Sequence, residues 1–343
     1  EPLFSHRPDV PFIPASNEKL AVTFAALALL GPEFRFRTDV IDVGRRQGPA
    51  WVGDLFLRGT GDPTFVTRGL ERLVAVLRGR GIREVTGRVF GDESLFDDVR
   101  DAPGWKPSFL GDESPPLSAL VLDRGRGWPA FTPPKLAARA LERELEGAGI
   151  AVEGVAGVRA APVEAGTILA SVESDRLAEI VALANTESDN FVAEMLLKHL
   201  GTIGGDPGST AGGARVVRRT LSEAGVPLTG VRLVDGSGLS RLNRLTPRAL
   251  VEILRAGVRS PAFGAAFRRS LAVAGRTGTL ERRLRGLHGA VRGKTGTTSL
   301  ACTISGTIRS RIAFAVLENG NPVPTTAARA AQDRFALVLD RSF

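Results

Sequence analysis

The apolar positions of this chain fall into short runs whose spacing changes along its length. Leu20 to Leu30 is almost continuously apolar, interrupted only by Thr23, rich in helix formers and stopped by Gly31-Pro32; this predicts a buried helix. Phe34 to Val40 alternates with period two and predicts a half-buried strand. Trp51 to Leu57 predicts another, closed by the turn Gly59-Thr60-Gly61-Asp62-Pro63. Leu70, Leu73, Val74 and Leu77 share one face of a predicted helix over 66–78. A strand at Val85 to Phe90, a loop-rich stretch with seven prolines between 103 and 134, a helix over 135–147 and a strand at Val152 to Val155 follow. So 34–167 mixes short strands and two helices, as an α+β unit does.

From Ile168 the pattern changes. Ile168 to Val172 predicts a strand, and Leu177 to Leu183, Phe191 to Leu200 and Ala211 to Ala224 predict helices. Thr246-Pro247 opens a further helix, with threonine as N-cap and proline in the first turn. The C-terminal part predicts three strands, from Val291 to Lys294 onward, over Leu300 to Ile308 and over Arg311 to Leu317, then a helix at Thr325 to Val338. No internal repeat is visible.

Composition narrows the function classes. With 343 residues, 43% hydrophobic and 24% charged, the chain can fill two domains. No apolar run reaches the ~18 residues that span a bilayer. Residue 1 is a glutamate, so the chain reads as a mature or trimmed form without its targeting segment. A single cysteine, Cys302, excludes an intrachain disulfide and a thiolate cluster; in its apolar run it predicts a buried structural thiol. His6, His199 and His288 lack metal-ligand spacing, so no metal and no cofactor is expected. The net charge of +8 favours acidic partners such as an anionic cell-wall polymer. Arginines spread along the chain, without basic stretches interleaved with aromatics, argue against nucleic acid.

Lys and Arg total 45, yet only Lys19, Lys106, Lys135, Lys198 and Lys294 are lysines. Guanidinium does not deprotonate near neutral pH and ammonium can, so a retained lysine marks a place where a base is useful. Lys19 follows Ser16 by three residues at the start of the first predicted helix, which sets the two on one face. There a desolvated amine could take the hydroxyl proton, and helix-start N–H groups could hold an oxyanion. Taken alone, S-x-x-K favours the plainer reading, an N-cap followed by a solvated first-turn lysine. Two more patterns change that balance. Ser188-Asp189-Asn190 lies at a helix junction, and Lys294-Thr295-Gly296-Thr297 lies in a predicted strand, where Gly296 would let a ligand backbone come close. S-x-x-K, S-D-N and K-T-G, in that order, form the set of penicillin-binding proteins and class A β-lactamases.

With these motifs the chain resembles the serine D-Ala-D-Ala peptidases among the penicillin-binding proteins. More narrowly it resembles the class C low-molecular-mass D-Ala-D-Ala carboxypeptidase/endopeptidase family. Ser114-Pro115-Pro116-Leu117-Ser118-Ala119-Leu120, Asp235 to Asn243, Ala274 to Leu280 and Phe314 to Gly320 extend the likeness over nearly the whole chain. The resemblance implies an α/β (α+β) fold: a β-lactamase-like peptidase domain, with an antiparallel sheet flanked by helices and a helical subdomain, over 1–33 and 168–343. An accessory α+β domain would be inserted at 34–167, with no third domain nested inside it. Fifteen residues precede Ser16, fewer than the family's leading elements ask for, as in a chain trimmed at that end.

By the same resemblance Ser16 would attack the carbonyl of the penultimate D-Ala, with Lys19 as base. The N–H groups of Ser16 and Thr297 would hold the oxyanion. Ser188 would relay a proton, Asn190 would bind the substrate amide, Lys294 would supply positive potential, and Thr295 and Thr297 would meet the terminal carboxylate. Leu239 and Arg241 would line a side-chain pocket. Stem peptides of peptidoglycan ending in D-Ala-D-Ala would be the substrate and β-lactams covalent inhibitors, with action outside the cytoplasm. The rivals are a β-lactamase-type hydrolase, for which no motif supplies a deacylating glutamate and to which the insert is foreign, and an inactive cell-wall binding module.

Overall fold

A computed structural model describes residues 2–162 and 166–342; Glu1, 163–165 and Phe343, where parts of the expected domain spans fall, lie outside the described residues. A 3-10 turn (Ala15–Glu18) runs directly into α1 (Lys19–Leu30), which Gly31 ends with φ 81°. β1 (Arg37–Gln47) and β2 (Ala50–Gly59) form a hairpin, followed by α2 (Thr67–Gly79), β3 (Glu84–Val85) and β4 (Val89–Asp92). A distorted turn, α3 (Phe109–Asp112), lies in the proline-rich stretch; α4 (Pro133–Gly147), β5 (Ala151–Val152), β6 (Gly157–Val158) and β7 (Ile168–Glu173) follow. Then come α5 (Leu177–Thr186), α6 (Asn190–Leu200), α7 (Thr210–Glu223), α8 (Pro247–Arg259) and α9 (Gly264–Ser270). β8 (Ala272–Val273), β9 (Val291–Thr297), β10 (Ala301–Ile308), β11 (Ile312–Asn319) and α10 (Thr325–Ser342) complete the chain.

Two sheets organise these elements. One is seven-stranded, with β1 and β2 at its centre; β7 pairs antiparallel to β1, and the short β3 and β4 run parallel to β2. α2 and α4 bury Leu70, Leu73, Leu77, Leu141 and Leu145 against it. The other is antiparallel in the order β11-β10-β9-β8, with α10 packed on it through Ala336 and Leu339. Between this sheet and the surface, α1 is wrapped by α5 to α9 and buries Leu20, Phe24 and Leu27. An all-round apolar helix can sit only at the centre of such a bundle.

The expected strand Val85 to Phe90 divides into β3 and β4, because Trp51 and Leu55 of β2 pair with Val85 and Val89 across an irregular Thr86-Gly87-Arg88. Val152 to Val155 likewise yields only β5, with β6 displaced to Gly157–Val158. β8 joins the three expected C-terminal strands; two residues are too short to leave a periodic signal. β7 belongs to the seven-stranded sheet, which therefore closes at Glu173, beyond the expected end of the insert at 167. Where the chain leaves and re-enters the helical bundle its two strands touch: Ser174 N donates to Phe36 O at 3.0 Å and Leu177 N to Phe34 O at 2.8 Å.

Phe267 is fully buried, with its ring edge-on to Phe24 at a centroid distance of 6.3 Å. Phe267→Ala is expected to cost about 3–5 kcal/mol of stability, read as a lowered midpoint in chemical denaturation followed by circular dichroism.

Candidate active site

Ser16 lies inside the 3-10 turn, so its hydroxyl is free of N-cap duty. Ala15 just before it has φ 46°, a left-handed conformation costly for a residue with a Cβ and typical of functional turns. Two glycines allow the turn to be crowded. A Cβ on Gly238 would meet Ala15 O at 1.9 Å, and one on Gly296 would meet Ser16 N at 2.8 Å. Gly296 thus makes room for the serine's own backbone, where the sequence pointed to a ligand's.

Lys19 is completely buried, and its Nζ donates three hydrogen bonds: to Ser16 Oγ at 3.1 Å, Asn190 Oδ1 at 2.8 Å and the Ser237 carbonyl at 2.6 Å. Burial pulls its pKa down to about 8, against the pull of the Asp235 and Glu194 carboxyls. Desolvation, rather than a neighbouring cation, is the largest cause. Lys294, equally buried on β9, donates to Ser188 Oγ at 2.8 Å and to Thr295 O at 2.8 Å. Burial, with the Lys19 charge added, holds it well below the ordinary ammonium range. Lys19 and Lys294 are therefore a pair of amines in a dry wall, each on a serine hydroxyl.

Ser188 occupies the α5–α6 junction with φ 64°. Asp189 caps α6 by accepting from Val192 N at 3.0 Å, which aims Asn190 at Lys19. Thr303 and Ser305 of β10 bond Asn17, and Thr303 also bonds Pro14 O at 2.8 Å, so the sheet holds the Ser16 turn. β8 covers β9 only at Arg292 and Gly293. Thr298 N already donates to Ala301 O, so by strand alternation the Thr297 N–H faces the uncovered edge beside Ser16.

These residues meet at a cleft of about 680 Å3 lined by Ser16, Ser188, Asn190, Leu239, Arg241, Thr295, Gly296 and Thr297. Leu239 is half-buried, and Arg241 reaches Ser299 Oγ at 3.4 Å. A larger cavity of about 1060 Å3, between the N-terminal segment, α8, β11 and α10, holds none of the motif residues. The structure brings together every site residue expected from the sequence. A buried amine on a serine hydroxyl, with N–H groups nearby, can support acyl transfer.

A model of the D-Ala-D-Ala carboxypeptidase 3 (S13) family matches residues 1–136 and 127–342. The chain belongs to this family. A D-alanyl-D-alanine carboxypeptidase of Actinomadura sp. (strain R39) is 29% identical over 99% of this chain and 79% of its own length. Carboxypeptidase DacB of Mycolicibacterium smegmatis is 32% identical over 96% of this chain and 75% of its own. Penicillin binding protein 4 (dacB) of Haemophilus influenzae shares the fold with a TM-score of 0.84, at 21% identity, over 97% of this chain and 93% of that one. This S13 chain is a serine peptidase of the D-Ala-D-Ala carboxypeptidase class.

Several functional neighbours escaped sequence reasoning in this S13 peptidase. Asn190 Nδ2 donates to Glu113 O at 3.1 Å, and Arg124 bridges to Asp189 at 2.9 Å, both from the stretch read as an insert. Nothing in the sequence marks these two. Beneath Lys19 lies a layer of carboxyls: Glu18, whose two oxygens have no hydrogen-bond partner among the described residues, Glu194 and Asp235, all buried. Burial, with Asp235 nearby, raises Glu194 to about 8. Glu194 accepts from Gly236 N and Ser237 N, and so fixes the carbonyl that Lys19 bonds. Asp235 sits inside a stretch that carried the family likeness. It accepts from Gly238 N at 2.9 Å, Ser240 N at 2.7 Å, Asn243 Nδ2 at 2.5 Å and Trp105 Nε1 at 2.9 Å. Asp235→Ala would strand these donors in the dry interior. A loss of at least about 3 kcal/mol is expected in a denaturant melt, while Asp235→Asn, which keeps one acceptor oxygen, should lose less.

Proposed function

We propose that this peptidase acts on peptidoglycan stem peptides ending in D-Ala-D-Ala, through an acyl-enzyme on Ser16. Neutral Lys19 takes the Oγ proton as Oγ attacks the penultimate D-Ala carbonyl. The N–H groups of Ser16 and Thr297 hold the oxyanion. The proton passes by way of Ser188, polarised by Lys294, to the leaving D-Ala nitrogen as the C–N bond breaks. Water then cleaves the ester. Asn190 binds the substrate amide, Thr295 and Thr297 bind the carboxylate beside Gly296, and Leu239 and Arg241 line the side-chain pocket. The single observation that carries this reading is the buried Lys19 Nζ, 3.1 Å from Ser16 Oγ and bonded to Asn190, with Lys294 matched to Ser188 opposite.

β-Lactams offer the same carbonyl and carboxylate and are proposed as covalent inhibitors. Action at the cell wall, outside the cytoplasm, follows from such a substrate and suits the net charge of +8. Among the described residues no helix is long and apolar enough to cross a membrane. We place the accessory unit at residues 37–173, the span of the seven-stranded sheet, a few residues from the 34–167 read from sequence. Its contacts with Asn190, Asp189 and Asp235 support a part in holding the site as well as in shaping access.

Benzylpenicillin should add one drug mass to the protein, lost in Ser16→Ala; an adduct that survives the substitution would sink the assignment. The adduct should persist for minutes or longer, whereas release within seconds would favour a β-lactamase and no adduct at all a binding module.

Below its pKa Lys19 is an ammonium that accepts nothing, so acylation should climb with pH and level off above about 8, the value to which burial pulls Lys19. Stopped-flow measurement from pH 6 to 9.5 checks this. Lys19→Arg should lower the rate by ~10²-fold or more and remove the rise; a rate near wild type would reduce Lys19 to a packing residue.

A further inference from the structure

Between α3 and α4 the chain makes a strained turn. Asp123 and Arg124 both adopt left-handed φ, 46° and 57°, and Gly125 follows at 69°. That region is costly for a residue with a Cβ, so two in a row persist only where the surroundings hold them. Here Asp123 N donates to Phe65 O at 3.0 Å, and Asp123 Oδ1 accepts from Thr67 N, the first N–H of α2, at 3.1 Å. Thr67 Oγ1 adds a bond to the other carboxylate oxygen. Phe65 is buried in the core that α2 and α4 form with the seven-stranded sheet. The turn is therefore fixed to that core.

From this turn Arg124 reaches the S-D-N loop. Its Nη1 donates to Asp189 Oδ2 at 2.9 Å and its Nη2 to Asp189 Oδ1 at 3.3 Å, a planar fork that a lysine does not offer. The guanidinium also lies over the buried Phe191 ring, 5.1 Å from its centroid. Asp189 is the middle of three residues. Ser188 Oγ before it accepts from Lys294, and Asn190 Oδ1 after it accepts from Lys19. Ser188 is itself left-handed, at φ 64°. One strained turn thus grips another, and stability does not explain the grip. Arg124 is half-exposed, an exposed ion pair adds little to folding, and two left-handed residues oppose it.

We propose that Arg124 is a positioning residue for the S-D-N loop: by gripping Asp189 it keeps Ser188 on Lys294 and Asn190 on Lys19. Through this contact the core around α2 and α4 sets the rate of acylation rather than the tightness of substrate binding. The inference rests on the reaction proposed above, in which Ser188 carries the proton to the leaving nitrogen. Asp189 still caps α6 when its partner is lost, so the helix stays and the loop before it gains freedom. Such a displacement is felt first in the reacting geometry.

The test is stopped-flow acylation of the full chain by a chromogenic cephalosporin, which separates the acylation rate constant from the dissociation constant of the first complex. Arg124→Ala should lower the rate constant by about 10- to 100-fold and leave the dissociation constant within about 3-fold. Arg124→Lys should recover part of the loss. Arg124→Gly relieves the left-handed backbone, so its thermal midpoint should stay within about 2 °C of wild type while it acylates as slowly as Arg124→Ala. Asp189→Asn keeps an acceptor for the cap and loses the charge. Combined with Arg124→Ala, it should be no slower than the slower single variant. An Arg124→Gly rate constant within about 2-fold of wild type overturns the proposal. So does a loss confined to the dissociation constant, or losses that multiply in the double variant. Intact-mass measurement on the same preparations separates two failures. A wild type labelled at Ser16 whose Arg124 variants react as fast overturns this inference alone. A wild type that takes no label overturns the proposed reaction and this inference with it.

Discussion

The buried ammonium of Lys19 is the constraint on which the rest of the site depends. An isolated cation in a dry interior is costly, so it must be given acceptors or lose its proton. Here each hydrogen of Nζ points to a different segment of the chain: Ser16 on its own turn, Asn190 at the start of α6 and the Ser237 carbonyl in the loop before α8. The balance is close, as a pKa near 8 records. A group poised there is charged enough to organise its neighbours and neutral often enough to act as a base. The arginine-rich remainder of the chain would not serve, because guanidinium stays protonated at such a pH.

Holding that balance requires close backbone approach, and the fold supplies it with small residues and left-handed turns. Ala15 and Ser188 both adopt positive φ, and Gly238 and Gly296 flank the serine turn at distances that admit no Cβ. The conformational cost is borne by packing at a distance: α1 enters a bundle whose core includes Phe24, Phe267 and Leu254, and Asn17 is tied to Thr303 and Ser305 on the sheet. Residues that no chemistry uses thus hold the geometry that chemistry needs.

The unit between α1 and α5 is joined to this arrangement more tightly than an appendage would be. Phe96, Leu117, Ala119 and Val121 share an apolar cluster with Phe191 and Met195 of α6. Lys198 of the same helix, with its side chain fully buried, pairs with Asp97 at 2.5 Å and donates to Val99 O at 2.7 Å. Trp105 reaches Asp235, and Arg124 reaches Asp189 while covering the Phe191 ring. α6, which begins at Asn190, is therefore supported from both sides. A shift of the seven-stranded sheet would be felt at Ser188 and Asn190 through rigid packing.

Local sequence determined the elements and the motif residues. Periodicity and stop signals located α1, α2, α8 and the β10–β11 hairpin, because each is specified by contacts within a few residues. The threonine cap at Thr246 was legible for the same reason. The three motifs named Ser16, Lys19, Ser188, Asn190 and Lys294 because the chemistry restricts residue type at fixed spacing. Tertiary structure alone decided what touches what. Glu113, Arg124, Asp235 and Arg329 become neighbours of the site across separations no local pattern encodes, and the split of Val85 to Phe90 follows from its pairing with β2. Even the meaning of Gly296 changed, from room for a ligand to room for the serine. Which surfaces a residue faces is a property of the assembled packing, and the pKa of Lys19 is set by that burial rather than by its place in S-x-x-K.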